Sequence, residues 1–237
     1  MQQLSIHLNE IEERAAHQAI ETAVIEYFQV RDCIVNLDTH SVCVLFDPIA
    51  HKKWIARFNG HAEPNGSKDI PLSIPLEQLP PQIKQLARPI LERLMAEQEA
   101  LASYLKWKPR ERKIVPGTIT EMSQTHFKIS LKGGTGILNH RDGIKKEHYT
   151  LGATHLFHIK RVRMEGENVR IHLSRRSKTL PEYVLSSKFP KYKFRCYRRL
   201  PGVKSWIRTT APSYRWGLFL SKEIRQPLAG EYLQFYP

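Results

Sequence analysis

The sequence predicts an α+β multidomain protein. An α/β N-terminal domain carries a long connector helix, a small five-stranded β-barrel of the OB type follows, and a short unit of helix and strands ends the chain. Three observations predict this. Two long stretches before residue 106 repeat apolar residues at three- and four-residue steps. After it, β-rich runs with glycine-rich turns crowd into about 60 residues, the pattern of a small barrel. The charge also changes sign between the halves. Of 37 Lys and Arg only 9 lie in residues 1–105, which hold 14 of the 23 Asp and Glu. The net charge of +14 therefore divides into −5 before residue 106 and +19 from there on.

Residues 5–30 read as a helix, with Leu8, Ile11, Ala15, Ala19, Ala23 and Phe28 on one stripe beside Ile20, Val24 and Tyr27. Cys33 to Phe46 reads as a hairpin, two β-rich runs around a polar Asp38-Thr39-His40-Ser41 turn. Trp54 to Phe58 suggests a further strand, and Asn59 to Pro75, rich in Gly, Pro, Asn and Ser, a surface loop. Pro80-Pro81 opens a second helix, where a missing N–H costs nothing. Its stripe runs from Ile83 through Leu94 to Leu105, and twenty-five residues of helix would span roughly 37 Å. Pro89 predicts a kink near Gln85–Arg88, or else a helix that starts only there.

Lys106 to Lys113 is a basic joint, and β patterning resumes beyond it. Strands are expected at Ile114–Glu121, Phe127–Leu131, Ile137–Leu138, His155–Val162 and Val169–Leu173. A short helix at Leu180–Ser187 then leads to strands at Tyr192–Tyr197 and Lys204–Thr209. A helix at Leu218–Gln226 and a strand at Tyr232–Tyr236 complete the chain.

Several function classes are disfavoured. No run approaches the ~18 apolar residues of a membrane span, and Met1-Gln2-Gln3-Leu4 lacks the features of a signal peptide. Cys33, Cys43 and Cys196 form no C-x-x-C pair, which suits a reducing, cytoplasmic setting without disulfides or zinc. His155 and His158, three apart on a strand, project to opposite faces, so a metal site is not expected. There is no G-x-S-x-G, and Cys33 and Cys43 lie in apolar strands where thiols are inert. Paired carboxylates are absent from the basic half. The expectation is a protein that is not an enzyme, with no cofactor, no small-molecule substrate and no membrane partner.

Charge this dense on one half self-repels unless a polyanion meets it, and RNA or DNA phosphate is the usual one. On the second barrel strand, alternation sends Phe127, Ile129 and Leu131 to the core and His126, Lys128 and Ser130 to the surface. His140, Arg141, Lys145 and Lys146 follow on the next strand end and loop, and Lys160, Arg161 and Arg163 flank the fourth strand. The densest segment sets Arg195, Arg198, Arg199, Lys204, Arg208 and Arg215 among Phe194, Tyr197, Trp206, Tyr214 and Trp216. Guanidinium and ring faces both stack on bases. Trp206 and Ile207 point oppositely, so one of them belongs to a core; the arginines and Tyr214 are the stronger candidates. Each of these cations taken singly could equally be a solvated surface charge. The acidic half, with Glu10, Glu12, Glu13, Glu21 and Glu26 on the first helix, suits docking on another protein, or is an ordinary solvated helix face.

The order of these pieces resembles the bacterial NusA family of transcription elongation, termination and antitermination factors. Pro116-Gly117-Thr118-Ile119-Thr120, Gly133-Gly134-Thr135-Gly136-Ile137-Leu138 and Ile171-His172-Leu173-Ser174-Arg175 resemble that family's S1 domain and its closing Leu-Ser-Arg. Phe189-Pro190 with Arg199-Leu200-Pro201-Gly202-Val203-Lys204 resembles the opening of its first KH domain, and Leu228-Ala229-Gly230-Glu231-Tyr232-Leu233 its close. Asn36-Leu37-Asp38-Thr39-His40-Ser41 resembles a hairpin of its polymerase-binding domain. The resemblance implies a polymerase-docking domain with connector helix over 1–108, an S1 RNA-binding domain over 112–176 and a reduced KH-like domain over 177–237. It adds Arg175 to the RNA-binding candidates and makes the partners core RNA polymerase and nascent single-stranded RNA. The implied function is modulation of pausing, termination or antitermination.

The departures are specific. KH domains grip RNA through a G-x-x-G loop, and none occurs between Thr210 and Leu228. Gly133 to Gly136 matches formally but falls in a barrel turn, and no second KH pattern precedes Pro237, so a shortened, diverged member is expected. Two other readings stay open. One is a free-standing RNA-binding protein acting in translation or RNA protection; the other is a polymerase subunit or antagonist that works without RNA.

Overall fold

The computed structural model describes residues 2–58 and 69–237, with side chains from residue 11 onward. The chain is α+β and divides into two compact units, Met1–Glu99 and Ala100–Pro237.

The first unit contains α1 (Gln2–Phe28), β1 (Cys33–Asn36), β2 (Ser41–Phe46), α2 (Lys52–Arg57), β3 (Ile70–Pro75) and most of α3 (Pro81–Trp107). Its three strands form an antiparallel sheet in the order β1-β2-β3. Alternation on β2 sends Val42, Val44 and Phe46 inward. There they meet Ala23, Val24 and Phe28 of α1, Ile55 of α2 and Ile83 of α3. Burying each large side chain contributes about 1.5–3 kcal/mol.

Two expectations fail here. Trp54–Phe58 is not a strand: Asp47 Oδ1 accepts the amides of Ile49 (2.7 Å) and Ala50 (3.0 Å), turning the chain into α2. Trp54 and Phe58 then stack at helical i,i+4 spacing, their rings inclined by 17°. The expected loop also stops short. Residues 59–68 lie outside the described residues, but Ile70–Pro75 is strand β3. Its prolines are tolerated because β3 pairs only with β2 and is an edge strand. Helix α3 runs unbroken through Pro89.

In the second unit β4 (Ile114–Met122), β5 (His126–Leu131), β6 (Gly134–Asn139), β7 (Thr154–Glu165) and β8 (Asn168–Ser174) close a barrel in the order β4-β5-β6-β8-β7. A parallel β6–β8 pairing, Gly136 opposite Ile171, completes the ring. Ile119, Phe127, Ile129, Leu138, Phe157, Ile159, Ile171 and Leu173 fill it. Trp107, the last residue of α3, is 1% exposed in the same core and donates its indole N–H to Gly133 O at 3.2 Å. Of the formal G-x-x-G only Gly133, at φ +87°, lies in a turn; Gly134 to Gly136 open β6 rather than a turn, and a Cβ on Gly134 would come within 2.6 Å of the indole nitrogen.

Beyond the barrel come α4 (Thr179–Lys188), β9 (Phe194–Leu200), β10 (Lys204–Thr209), α5 (Lys222–Arg225) and β11 (Tyr232–Tyr236). The helix expected at Leu218–Gln226 is instead the short α5 between 3-10 turns at Ser213–Leu220 and Gln226–Leu228. Strand β11 lies parallel to β10, giving a mixed sheet in the order β11-β10-β9. One face of this sheet is covered by α4, the 3-10 segment Ser213–Leu220 and α5, through Leu180, Val184, Leu185, Phe219 and Ile224. No described helix is long and apolar enough to cross a membrane.

Candidate nucleic-acid interface

The uncovered face of the β9–β10–β11 sheet is assembled by strand parity. Ser205, Ile207 and Thr209 point into the core, so Lys204, Trp206 and Arg208 point out. Register places Tyr232 beside Lys204, Gln234 beside Trp206 and Tyr236 beside Arg208. On the other side Arg198 opposes Trp206 and Arg195 opposes Arg208. The outward residues are thus four cations (Arg195, Arg198, Lys204, Arg208), four aromatics (Tyr197, Trp206, Tyr232, Tyr236), Gln234 and Leu200. No carboxylate stands among them.

The rings and cations of this face touch one another. Arg198 and Lys204 lie over the Trp206 ring at 4.9 and 5.0 Å, and Lys204 is also 5.4 Å from the Tyr232 ring. Tyr197 and Tyr236 meet edge to face at 5.8 Å. Such a surface offers π faces for bases and fixed cations for phosphates, the two elements of single-strand recognition. Of its aromatics, the sequence alone points to Tyr197 and Trp206. Tyr232 and Tyr236 emerge only with the sheet, although their alternation with Leu233 and Phe235 is the signal for them. Ile207 is the buried member of the Trp206–Ile207 pair.

Two candidate arginines leave the interface. Arg199 is buried and forked onto Glu231, with Nη2 to Oε1 at 2.6 Å and Nε to Oε2 at 3.0 Å. Glu231 also accepts the Gly202 amide and the Ser205 hydroxyl, both at 2.7 Å. The reason is a β-bulge. Trp206 pairs with Arg198 and Ile207 with Cys196, so Tyr197 is the extra residue and alternation resets beyond it. Arg198 therefore faces outward and Arg199 inward.

Arg175 is fully buried. It donates to Glu147 and to the carbonyls of Leu156 and Pro227, while its own carbonyl accepts Arg199 Nη1 at 2.9 Å. These bonds tie the end of the barrel to the sheet that follows. Burial pushes the Glu147 carboxyl up, but hydrogen bonds from His155, Arg175 and Tyr149 outweigh it and hold it at about 2.

The barrel candidates are arranged differently. Parity does place Phe127, Ile129 and Leu131 inside and Lys128 outside. Lys128 Nζ, however, sits 2.7 Å from Glu121, and Lys160 Nζ donates to Asp142 at 2.8 Å. Arg161 and Arg163 project from β7, where Arg163 is opposite Arg170, itself paired with Glu165 at 2.9 Å. His126 Nδ1 lies 2.9 Å from Thr125 Oγ1 and His140 Nε2 3.0 Å from the Ser123 carbonyl, so both rings brace the β4–β5 turn. Arg141, Lys145 and Lys146 are exposed on the segment after β6. Tyr214 is 78% exposed beneath Arg215, 5.7 Å from its ring, on the 3-10 segment and off the sheet face.

On α1, Glu12, Glu13 and Glu26 are exposed and Glu21 is half-buried near His17; the Glu10 side chain lies outside the described residues. Glu13 lines a shallow groove with Arg14, His17, Asn36 and Asp38. Burial raises the thiols of Cys33 and Cys196 to about 12 and about 11, well above the range of a reactive thiolate. Among the described residues no cluster of three or more His, Cys, Asp and Glu could hold a metal ion.

No protein-family model matches the chain, and no curated protein matches it. Among solved structures it is similar to a multidomain protein with nucleic acid binding domains from Streptococcus pneumoniae TIGR4, at 12% identity. The overlap covers 51% of this chain and 41% of that one, with a TM-score of 0.24. The chain thus spans about two fifths of that protein's length, and a superposition this loose fixes neither fold nor function.

Proposed function

We propose that this protein binds single-stranded RNA through the outward face of the β9–β10–β11 sheet and carries that activity to RNA polymerase through its N-terminal unit. One observation carries the RNA reading: four aromatics and four cations share a sheet face without a carboxylate. Each stacked base is worth about 1–3 kcal/mol and needs no particular sequence, while cations follow the backbone. The barrel supplies a second, weaker basic wall. On this reading residues 112–176 are an S1-type RNA-binding domain, and 177–237 a reduced KH-like domain that lacks the G-x-x-G grip and presents its sheet instead. The protein acts by holding nascent RNA, which biases pausing, termination or antitermination, and it performs no catalysis.

Docking rests on the acidic 1–105 segment, its exposed Glu12, Glu13 and Glu26, and the resemblance of the hairpin around Asp38. Two measurements test the proposal. Fluorescence anisotropy with labelled oligouridine should give an affinity that falls as salt rises. Sizing chromatography should show co-elution with core RNA polymerase that is lost when residues 1–105 are deleted. Salt-dependent RNA binding without co-elution would leave a free-standing RNA-binding protein. Co-elution without RNA binding would leave a polymerase subunit or antagonist.

A further inference from the structure

The sheet face is not uniform. At one corner Arg195 and Arg208 are direct partners in the antiparallel β9–β10 ladder. Like charges opposite each other on a sheet destabilise it, and an opposite charge nearby is the usual remedy. Among the described residues neither arginine forms an ion pair with a carboxylate. Glu182, on neighbouring α4, instead accepts the Cys196 amide at 2.6 Å. A third cation converges on the same corner, because Lys178 donates Nζ to the Tyr197 carbonyl at 2.7 Å. That bond holds the ammonium at the rim. Lys178, Arg195, Cys196, Tyr197, Arg208 and Tyr236 together line a concavity. Three positive groups and two ring edges thus enclose one hollow whose own charges are unbalanced.

We infer that this corner is a nucleotide subsite: a phosphate group seats among Lys178, Arg195 and Arg208, and the adjoining base packs against the Tyr197–Tyr236 pair. The inference rests on the RNA-binding reading above and adds a fixed register point to an otherwise sequence-tolerant platform. The phosphate relieves the Arg195–Arg208 repulsion through charge-assisted hydrogen bonds, the stronger kind. The base closes over it, so phosphate and base together bind better than either alone. A terminal phosphomonoester and an internal phosphodiester offer the same chemistry, and they are separated by experiment.

The test uses the full chain and its Arg195→Gln/Arg208→Gln variant, with both substitutions on exposed strand positions. A second variant, Arg195→Lys/Arg208→Lys, keeps the charge and loses the forks. Ligand-observed NMR compares uridine 5′-monophosphate, uridine and inorganic phosphate. Anisotropy compares oligouridines with and without a 5′-phosphate. The monophosphate should bind the natural chain, uridine should not, and the Gln variant should weaken binding about tenfold, the Lys variant less. If the 5′-phosphate tightens oligouridine on the natural chain alone, the site takes a terminal phosphate. If both oligomers weaken equally on the Gln variant, it takes an internal one. A Gln variant that binds both oligomers as the natural chain does, while Trp206→Ala does not, overturns the subsite and leaves the platform. If the natural chain binds no oligouridine at all, the RNA reading fails. The subsite is then judged on the monophosphate alone and is overturned unless that binds and the Gln variant does not.

Discussion

The barrel wall and the terminal sheet face are both strand surfaces rich in Lys and Arg, yet they hold their charge in opposite ways. On the barrel, Lys128, Lys160 and Arg170 each sit within 2.9 Å of a carboxylate. On the sheet, Arg198 and Lys204 lie over aromatic rings and no acid shares the face. A paired lysine presents little net field to a phosphate. A cation held over a ring keeps its full charge and is already positioned beside a stacking surface. Counting basic residues therefore finds the half of the chain suited to a polyanion, but the partners of those residues rank its faces.

Each region also buries one arginine, and the largest expected effects separate buried from exposed. Arg199→Ala leaves Glu231 buried without its cation and should cost roughly 3–5 kcal/mol of folding stability in urea unfolding. Arg198→Ala, one residue away on the open face, should change stability by no more than about 0.5 kcal/mol and weaken RNA binding. Equal stability in the two variants would return Arg199 to the interface.

The barrel's buried arginine gives the next effect. The Glu147 carboxyl is held at about 2 against an ordinary 4.5. A carboxyl depressed on folding stabilises the native state above its unfolded pKa, and that contribution is lost as pH falls. At roughly 1.4 kcal/mol per unit, about 3 kcal/mol should disappear between pH 4.5 and 2. In Glu147→Gln this part of the acid loss should be absent, as thermal unfolding across that range would show.

Much of this was legible in the sequence. Four of the barrel strands, α4, β10 and β11 fall where alternation and turn residues place them, whereas β6 takes in Gly134 to Gly136, expected as a turn, and β9 runs on to Leu200. What was not legible depends on partners distant in sequence. Nothing local tells that Tyr197 is a bulge residue, because the bulge is defined by Trp206 and Ile207 across the ladder; Arg199, expected beyond the strand's end at Tyr197, instead lies within β9 and is turned inward by that bulge. Nor does the text after Thr209 say that β11 returns beside β10, which is what sets Tyr232 and Tyr236 on the same face as Trp206. The strand assigned to Trp54–Phe58 failed for a local reason, since two aromatics four apart fit a helix face as well as a strand.

Trp206 tests the platform itself. Trp206→Ala removes the ring flanked by Arg198 and Lys204 and should cost about 1–3 kcal/mol of affinity for oligouridine. The loss should persist at high salt, because stacking is not screened. A loss confined to low salt would mean that the ring only positions the two cations.

The smallest effect belongs to the barrel. Arg161 and Arg163 are exposed on β7, and neither forms an ion pair among the described residues. If they meet phosphates, Arg161→Ala/Arg163→Ala should flatten the salt dependence of binding by up to ~0.7 in log–log slope per lost contact, since single strands release that fraction of a counterion per phosphate neutralised. Replacing Lys128 should do less, because Glu121 already sits against its ammonium and the two charges largely cancel toward solvent. A slope that falls further for the barrel pair than for Arg195→Gln/Arg208→Gln would invert the comparison. The wall would then be the principal interface and the sheet face secondary, and partner counting would have ranked the two surfaces wrongly.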